Sequence, residues 1–314
     1  MFNTLRDRFT NFMQMRAVHR HGSRVGWRIA RKYTRYLEEC RARFSEPLPP
    51  AGELAQTVAD FRRDGIASFW TPETAAIATS IHAKIQAREG VGKSLWGEPG
   101  ASGNRNYQGD AYIDFPELEK LFRGPLGTFL TNYYRTYFKT FYASMLKSVR
   151  VGETPSGSQL WHSDSGPGTC VVVAFYLHDV LDEGAGVLHA LPWKQSMEIY
   201  EHEYDALLRM ARQRGIILRE ASKDTRRELM TTYYQEAIDA TYRDKIRGPK
   251  GKAGLVVPFL NNTLHYGGYP VSGRERIALL AHCYPSDRPT DFEHYRRHGM
   301  RKTAPCPMDP AAPF

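Results

Sequence analysis

His162 and Asp164 stand two residues apart in Gln159-Leu160-Trp161-His162-Ser163-Asp164, and His265 follows 103 residues later in Leu264-His265-Tyr266-Gly267-Gly268. For the three to act together, the fold must bring two distant extended segments side by side. On a strand, side chains two apart share a face, so His162 and Asp164 would converge on one spot. Two imidazoles and one carboxylate on one side of a metal form the 2-His-1-carboxylate arrangement that suits non-haem Fe(II). The flanking sequence fits. Residues 169–177 are β-branched and aromatic, as a buried strand should be, and the strand-like residues 254–260 lead toward His265. The competing expectation is that these three residues are purely structural.

Arg276 lies eleven residues beyond His265 in the apolar run Glu275-Arg276-Ile277-Ala278-Leu279-Leu280-Ala281-His282. A guanidinium there could pair bidentately with the far carboxylate of a 2-oxoacid that chelates the metal. Arg274 is close by, but Arg276 fits the apolar strand better. Gly267-Gly268 would let backbone approach such a site closely.

From about Phe61 to Tyr284 the chain resembles the phytanoyl-CoA dioxygenase-like branch of the Fe(II)/2-oxoglutarate-dependent oxygenases. The residues that carry the resemblance are Phe61-Arg62-Arg63-Asp64-Gly65-Ile66, Trp161-His162-Ser163-Asp164, Tyr176-Leu177-His178-Asp179-Val180, residues 183–188, Leu191-Pro192, and His265 with Arg276. The resemblance implies iron held by His162, Asp164 and His265, 2-oxoglutarate anchored by Arg276, and ascorbate as a reductant. It implies a double-stranded β-helix, a jelly-roll or cupin-like barrel: mainly β with flanking helices, a helical insertion and a helical N-terminal arm. It also implies decarboxylation of 2-oxoglutarate to succinate, coupled to hydroxylation of a C–H bond in a metabolite, lipid or cell-surface sugar. The intact carboxylate at Asp164 favours hydroxylation over halogenation. The family's Pro-Gly-Ser-His is here Pro192-Trp193-Lys194-Gln195-Ser196.

Charge is unevenly placed. The chain of 314 residues has a formal net charge of +9, and residues 1–44 hold eleven Lys/Arg against three acids. The rest is close to neutral. Within that arm Phe2, Leu5, Phe9, Phe12 and Met13 recur at helical spacing, and Val25, Ile29, Tyr33, Tyr36 and Leu37 continue after His21-Gly22-Ser23. Two basic amphipathic helices follow from the pattern. They would lie on an anionic membrane surface or pack on the catalytic domain or a partner chain; nucleic-acid contact is the least favoured. No apolar run reaches the ~18 residues of a membrane-spanning helix, and no secretory leader is evident. The four cysteines are widely spaced without metal-type pairing. A cytoplasmic protein is expected, with peripheral membrane attachment as the further option.

The expected organisation is a basic arm and linker over 1–50, an oxygenase barrel over 51–285 with a helical insertion at 197–247, and a Pro-rich tail over 286–314 with little periodicity. Residues 66–70 read as a strand. Thr71 and Pro72 read as the cap and first turn of a helix. Residues 126–145 read as one long aromatic helix. In the insertion Met230, Tyr234, Ile238 and Tyr242 mark one helix face, which would be a lid or substrate wall, or else a packed decoration. Trp161 is expected in core packing, and His178, His189 and His282 receive no role. There is no Gly-x-Ser-x-Gly elbow and no phosphate loop. Two other functions stay open: a non-catalytic ligand-binding barrel docked through its arm, and a cupin-type metal hydrolase or isomerase with no use for Arg276. The oligomeric state is left open.

Overall fold

A computed structural model of the chain describes residues 23–92, 94–100, 103–164, 169–300 and 308. Helices α1 (Ser23–Arg43), α2 (Ala55–Asp64) and α3 (Pro72–Gly90) come first. Strand β1 (Asn104–Asn106) is followed by α4 (Ala111–Asp114), α5 (Glu117–Arg123) and α6 (Pro125–Tyr134). Strands β2 (Tyr137–Val149), β3 (Val171–Tyr176) and β4 (Leu188–Ala190) lead to α7 (Trp193–Gln213) and α8 (Lys223–Ala237). Strands β5 (Val256–Leu260), β6 (His265–Gly267) and β7 (Glu275–Ser286) precede α9 (Phe292–His298).

The strands form two antiparallel sheets, one in the order β1-β2-β7-β3-β5 and a smaller pair β4-β6. Their sequences explain the layering. On β7, Arg276, Ala278, Leu280 and His282 line a cavity, while Ile277, Leu279, Ala281 and Cys283 are buried in the main core. On β3, Val172, Ala174 and Tyr176 face the same cavity, and Val171, Val173 and Phe175 are fully buried. Both faces are covered, so β3 reads as a continuous apolar run rather than an alternating one. The smaller sheet supplies Leu188, His265 and Gly267 to the opposite wall of the cavity.

Helices cover the outer side. Thr71 caps α3 through a reciprocal box with Thr74, and Pro72 occupies the first turn, as the sequence suggests. Helix α1 buries Tyr33, Tyr36, Leu37 and Cys40 and leaves Arg31, Lys32 and Arg35 exposed. The Tyr36 hydroxyl donates to Pro285 O at 2.8 Å and Arg41 Nε to Tyr134 O at 2.8 Å, so this half of the arm packs on the protein itself. The amphipathic pattern of residues 2–13 lies outside the described residues. No helix among the described residues is long and apolar enough to cross a membrane. Cys40, Cys170 and Cys283 are free thiols in buried positions.

The structure corrects four readings. Residues 126–145 are not one helix: α6 ends at Tyr134, Arg135 turns left-handed at φ 58°, and β2 then pairs with β7. A bulge between Thr140 and Tyr142 breaks the two-residue alternation, which hid the strand. Residues 66–70 run extended along β5, with Leu260 N donating to Gly65 O, Ala67 N to Pro258 O, and Phe69 and Val256 exchanging both bonds. They make bridges only at Ile66–Phe259 and Phe69–Val256, because Pro258 has no N–H to return the middle bond. The extended segment expected around the His-x-Asp pair is not a regular strand: a 3-10 turn, Gly157–Gln159, precedes it, and His162 makes an isolated bridge to His265. Finally, the tail contains α9, whose first turn is capped by Asp291 accepting from His294 N at 2.9 Å.

Candidate metal centre

His162 and His265 are direct antiparallel partners. Each backbone N–H donates to the other residue's carbonyl, His162 N to His265 O at 3.0 Å and His265 N to His162 O at 2.8 Å. Residues paired in this way project side chains on the same side of the sheet, which brings together imidazoles far apart in sequence. Their ring centroids lie 4.4 Å apart. Asp164 joins them because its N–H donates to Asn261 O at 2.8 Å, tying the chain after His162 to the loop between β5 and β6. Asn261 in turn is bonded to the start of β3, where its Oδ1 accepts from Cys170 N at 3.1 Å.

The ligand-capable atoms fit a single ion. His162 Nε2 is 3.8 Å from Asp164 Oδ1, and His265 Nε2 is 3.6 Å from Asp164 Oδ2. One ligand atom from each of the three residues lies within 4.8 Å of the other two. Ligands at ~2.1 Å bonds sit ~3.0 Å apart when perpendicular and ~4.2 Å apart when opposite, so small side-chain rotations suffice. Both imidazoles are also turned the right way. His162 Nδ1 is 2.7 Å from Leu160 O and His265 Nδ1 is 2.8 Å from Thr263 O. With each Nδ1–H donating to its carbonyl, the Nε2 lone pair is left for a metal. Burial, followed by the neighbouring His162, pushes His265 down to about 4, so it is neutral and ligand-ready at physiological pH.

Two cavities meet at this cluster. The inner one, about 230 Å³, lies between the sheets and contains Arg276, Tyr176 and Leu188. The outer one, about 1050 Å³, opens beneath α8. Ser158, His162, Asp164 and His282 line both, so an ion held by the triad would sit in the wall between them.

Arg276 is buried, and burial lowers its affinity for a proton. Its Nη1 donates to Gly186 O at 2.6 Å and its Nη2 to Ser148 Oγ at 2.9 Å, both neutral acceptors. Among the described residues no carboxylate pairs with it. Arg274, by contrast, is half-exposed and bonded to Asp182 at 2.7 and 2.9 Å, outside the inner cavity. Gly267 makes room for the guanidinium: a Cβ there would meet Arg276 Nη2 at 3.1 Å and Nη1 at 3.3 Å.

Several residues escaped the sequence reading. His282 lines both cavities, and its place on the Arg276 face of β7 was available from period-two counting. Ser196, in the departing Pro-Trp-Lys-Gln-Ser stretch, accepts from Leu264 N at 3.0 Å and donates to Leu191 O at 3.1 Å, which steadies the residue before His265. Trp161 is buried against Tyr266, as expected, but also lines the outer cavity. His178 accepts from Ile277 N at 2.9 Å, and His189 bonds Glu183 at 2.7 Å; both act as structural groups.

No protein-family model matches the chain, and no curated protein matches it in sequence. Among solved structures, the non-heme alpha ketoglutarate dependent epimerase SnoN from nogalamycin biosynthesis aligns with a TM-score of 0.49 at 14% identity, over 75% of this chain and 84% of that one. AviO1 from Streptomyces viridochromogenes Tue57 aligns with 0.45 at 15%, over 79% of this chain and 100% of that one. HygX from Streptomyces hygroscopicus, with nickel and 2-oxoglutarate bound, aligns with 0.45 at 11%, over 74% and 87%. Likeness at this level carries no weight for function, which rests on the chain's own residues.

Proposed function

We propose that the chain is an Fe(II)- and 2-oxoglutarate-dependent dioxygenase of hydroxylase type, built on a double-stranded β-helix of the phytanoyl-CoA dioxygenase-like kind. One observation carries the reading: a metal-capable His-Asp-His cluster lies in the wall between a small cavity, holding a buried guanidinium with no carboxylate partner among the described residues, and a large one.

His162, Asp164 and His265 would hold the iron. Two imidazoles and one carboxylate would neutralise part of a ferrous ion's charge and leave coordination positions open to other ligands. Bound there, iron with 2-oxoglutarate and dioxygen supplies the oxidising power that breaks a substrate C–H bond, with succinate and CO₂ as co-products. The protein's own part is positioning and exclusion of water. Arg276 would neutralise the distal carboxylate of the 2-oxoacid, since a guanidinium buried without a counter-ion is costly until an anion arrives. The inner cavity is smaller than the ~300–1,000 Å³ of drug-sized sites, a scale that fits a short diacid. Val172, Ala174 and Leu188 give it apolar walls, which strengthen the charge pairing inside. A cupin-type hydrolase would have no use for Arg276.

The test is anaerobic titration of the purified full chain with Fe(II) and 2-oxoglutarate, following the visible charge-transfer absorption of the chelate, and then succinate release on admitting air. The expected result is a band that forms with both ligands and is lost in His162→Ala, with the fold retained by circular dichroism. A band of unchanged strength in His162→Ala and Asp164→Ala would overturn the assignment.

A further inference from the structure

The outer cavity has one wall made by a single helix face. Lys223, Arg226, Arg227, Met230, Thr231 and Tyr234 of α8 all line it, at the three- and four-residue spacing of one side of a helix. That face is graded. Its C-terminal half is apolar: Tyr234 is buried in a cluster with Trp161 and Leu264, which flank the two metal-facing histidines, and Met230 packs on the same cluster. Its N-terminal half is cationic.

The charges on that half are not consumed by neighbours within the cavity. Arg226 Nη2 donates to Arg219 O at 2.8 Å, a neutral carbonyl that fixes the side chain. Among the described residues Arg227 meets a carboxylate only at the highly exposed Asp224, at 3.8 Å, and a contact of that kind is worth little. The other carboxylate on this stretch of helix, Glu228, is engaged by Arg214 at 2.7 Å and does not line the cavity. Asp164 is the one carboxylate lining the outer cavity among the described residues, and a metal would claim it. The helix N-terminus adds its own positive end beside Lys223, where Ser222 caps Thr225 N and leaves earlier amides directed outward.

We propose that the outer cavity selects an anionic amphiphile: a molecule whose phosphate or carboxylate group is held by Lys223, Arg226 and Arg227 while its apolar part lies along Met230, Tyr234 and Trp161 toward the metal cluster. The helix sets the ruler. Lys223 and Met230 are seven residues apart and Lys223 and Tyr234 eleven, which at ~1.5 Å per residue puts ~10–16 Å between the anionic group and the segment offered to the metal. The substrate class deepens the dioxygenase reading and depends on it only for the chemistry, not for the binding.

The experiment uses the full chain and two probes of equal length, octyl phosphate and 1-octanol, with binding measured by titration calorimetry. The wild type should bind octyl phosphate about tenfold more tightly than octanol, the scale set by three partly screened charges. In the triple variant K223Q/R226Q/R227Q the ratio should fall to about twofold or less, while octanol affinity and circular dichroism stay unchanged. A parallel sedimentation arm with phosphatidate vesicles separates the two sources of the anion: binding there alone, lost in the triple variant, assigns the phosphate to a lipid headgroup. If neither arm loses binding in the triple variant, or the wild type shows no preference for the anion in either, the proposal is overturned. The chelate absorption on the same preparations reads the metal site independently. A silent chelate with intact anion selection would sink the dioxygenase reading and spare this one.

Discussion

The inner and outer cavities share four lining residues and little else. The inner chamber is walled by strands from both sheets, and its guanidinium, Arg276, is buried and fixed by two hydrogen bonds. The outer chamber is walled by a helix, a turn and a bulged strand, and its charges are exposed and reach into a wide opening. Strand-built walls hold a group within narrow limits and suit a component that never changes. Helix- and loop-built walls vary without disturbing the sheets, and suit the component that distinguishes one such protein from another. The contrast predicts that substitutions in one chamber leave the other's ligand almost untouched, and it can be broken at several points.

The largest effect should come from the partition itself. Asp164→Ala removes the only anionic member of the triad, and its loss should exceed the ~10–100-fold typical of changes to groups that merely orient ligands. Iron affinity by equilibrium dialysis is expected to fall more than ~100-fold, with octyl phosphate affinity unchanged. Retained iron binding would mean that the two chambers are not divided by a metal.

Next is the inner chamber alone. Arg276→Gln should weaken 2-oxoglutarate binding by ~30-fold or more, since losing one partner of a buried charge pair costs ~2–5 kcal/mol. Arg274→Ala should change it less than about twofold, because that guanidinium is spent on Asp182 at the surface. Equal losses in the two variants would show that the anchor has been misplaced.

How much of this contrast was legible in the sequence follows from the same physics. The inner chamber could be read because strand alternation is a short-range rule: His162 and Asp164 two apart, and Arg276 on an apolar run, need no knowledge of distant chain. The preference for Arg276 over Arg274 came from the apolar pattern; in the structure Arg276 lines the inner cavity, whereas Arg274 pairs with Asp182 outside it. What stayed hidden depended on tertiary pairing. The hydrogen-bonded match of His162 with His265, and the bulge that disguised β2 as helix, are set by partners over a hundred residues away. The outer wall was half legible. Met230 and Tyr234 were marked as one helix face, but Lys223, Arg226 and Arg227 looked like any solvated turn until the cavity gave that face a direction.

Acid offers a third probe, smaller and again unequal between the chambers. Burial lowers His178, His265 and His282, all on or beside the inner strands, below their ordinary value of 6.5. A histidine with a depressed folded pKa binds more protons when unfolded, so stability is full above the unfolded value and falls as pH drops toward the folded one. The metal-free chain should lose on the order of 2–3 kcal/mol between roughly pH 6.5 and 4 from His265. Urea unfolding across that range measures it, and added Co(II) should delay the loss by competing with the proton for His265 Nε2.

The smallest effect tests the outer wall without touching its charges. The Tyr234 hydroxyl donates to Glu203 Oε2 at 2.7 Å, joining α8 to α7 in a buried pair behind the cavity. Tyr234→Phe keeps the ring that faces the cavity and takes one donor from Glu203, which should cost about 1–2 kcal/mol in urea unfolding. Because the wall is then less firmly seated, octyl phosphate affinity should drop a few-fold, whereas 2-oxoglutarate affinity should stay within about twofold, since no strand of the inner chamber takes part in this contact. If 2-oxoglutarate binding fell in step with octyl phosphate, α8 would be coupled to the sheets through more than Trp161 and Leu264, and the two chambers would have to be treated as one.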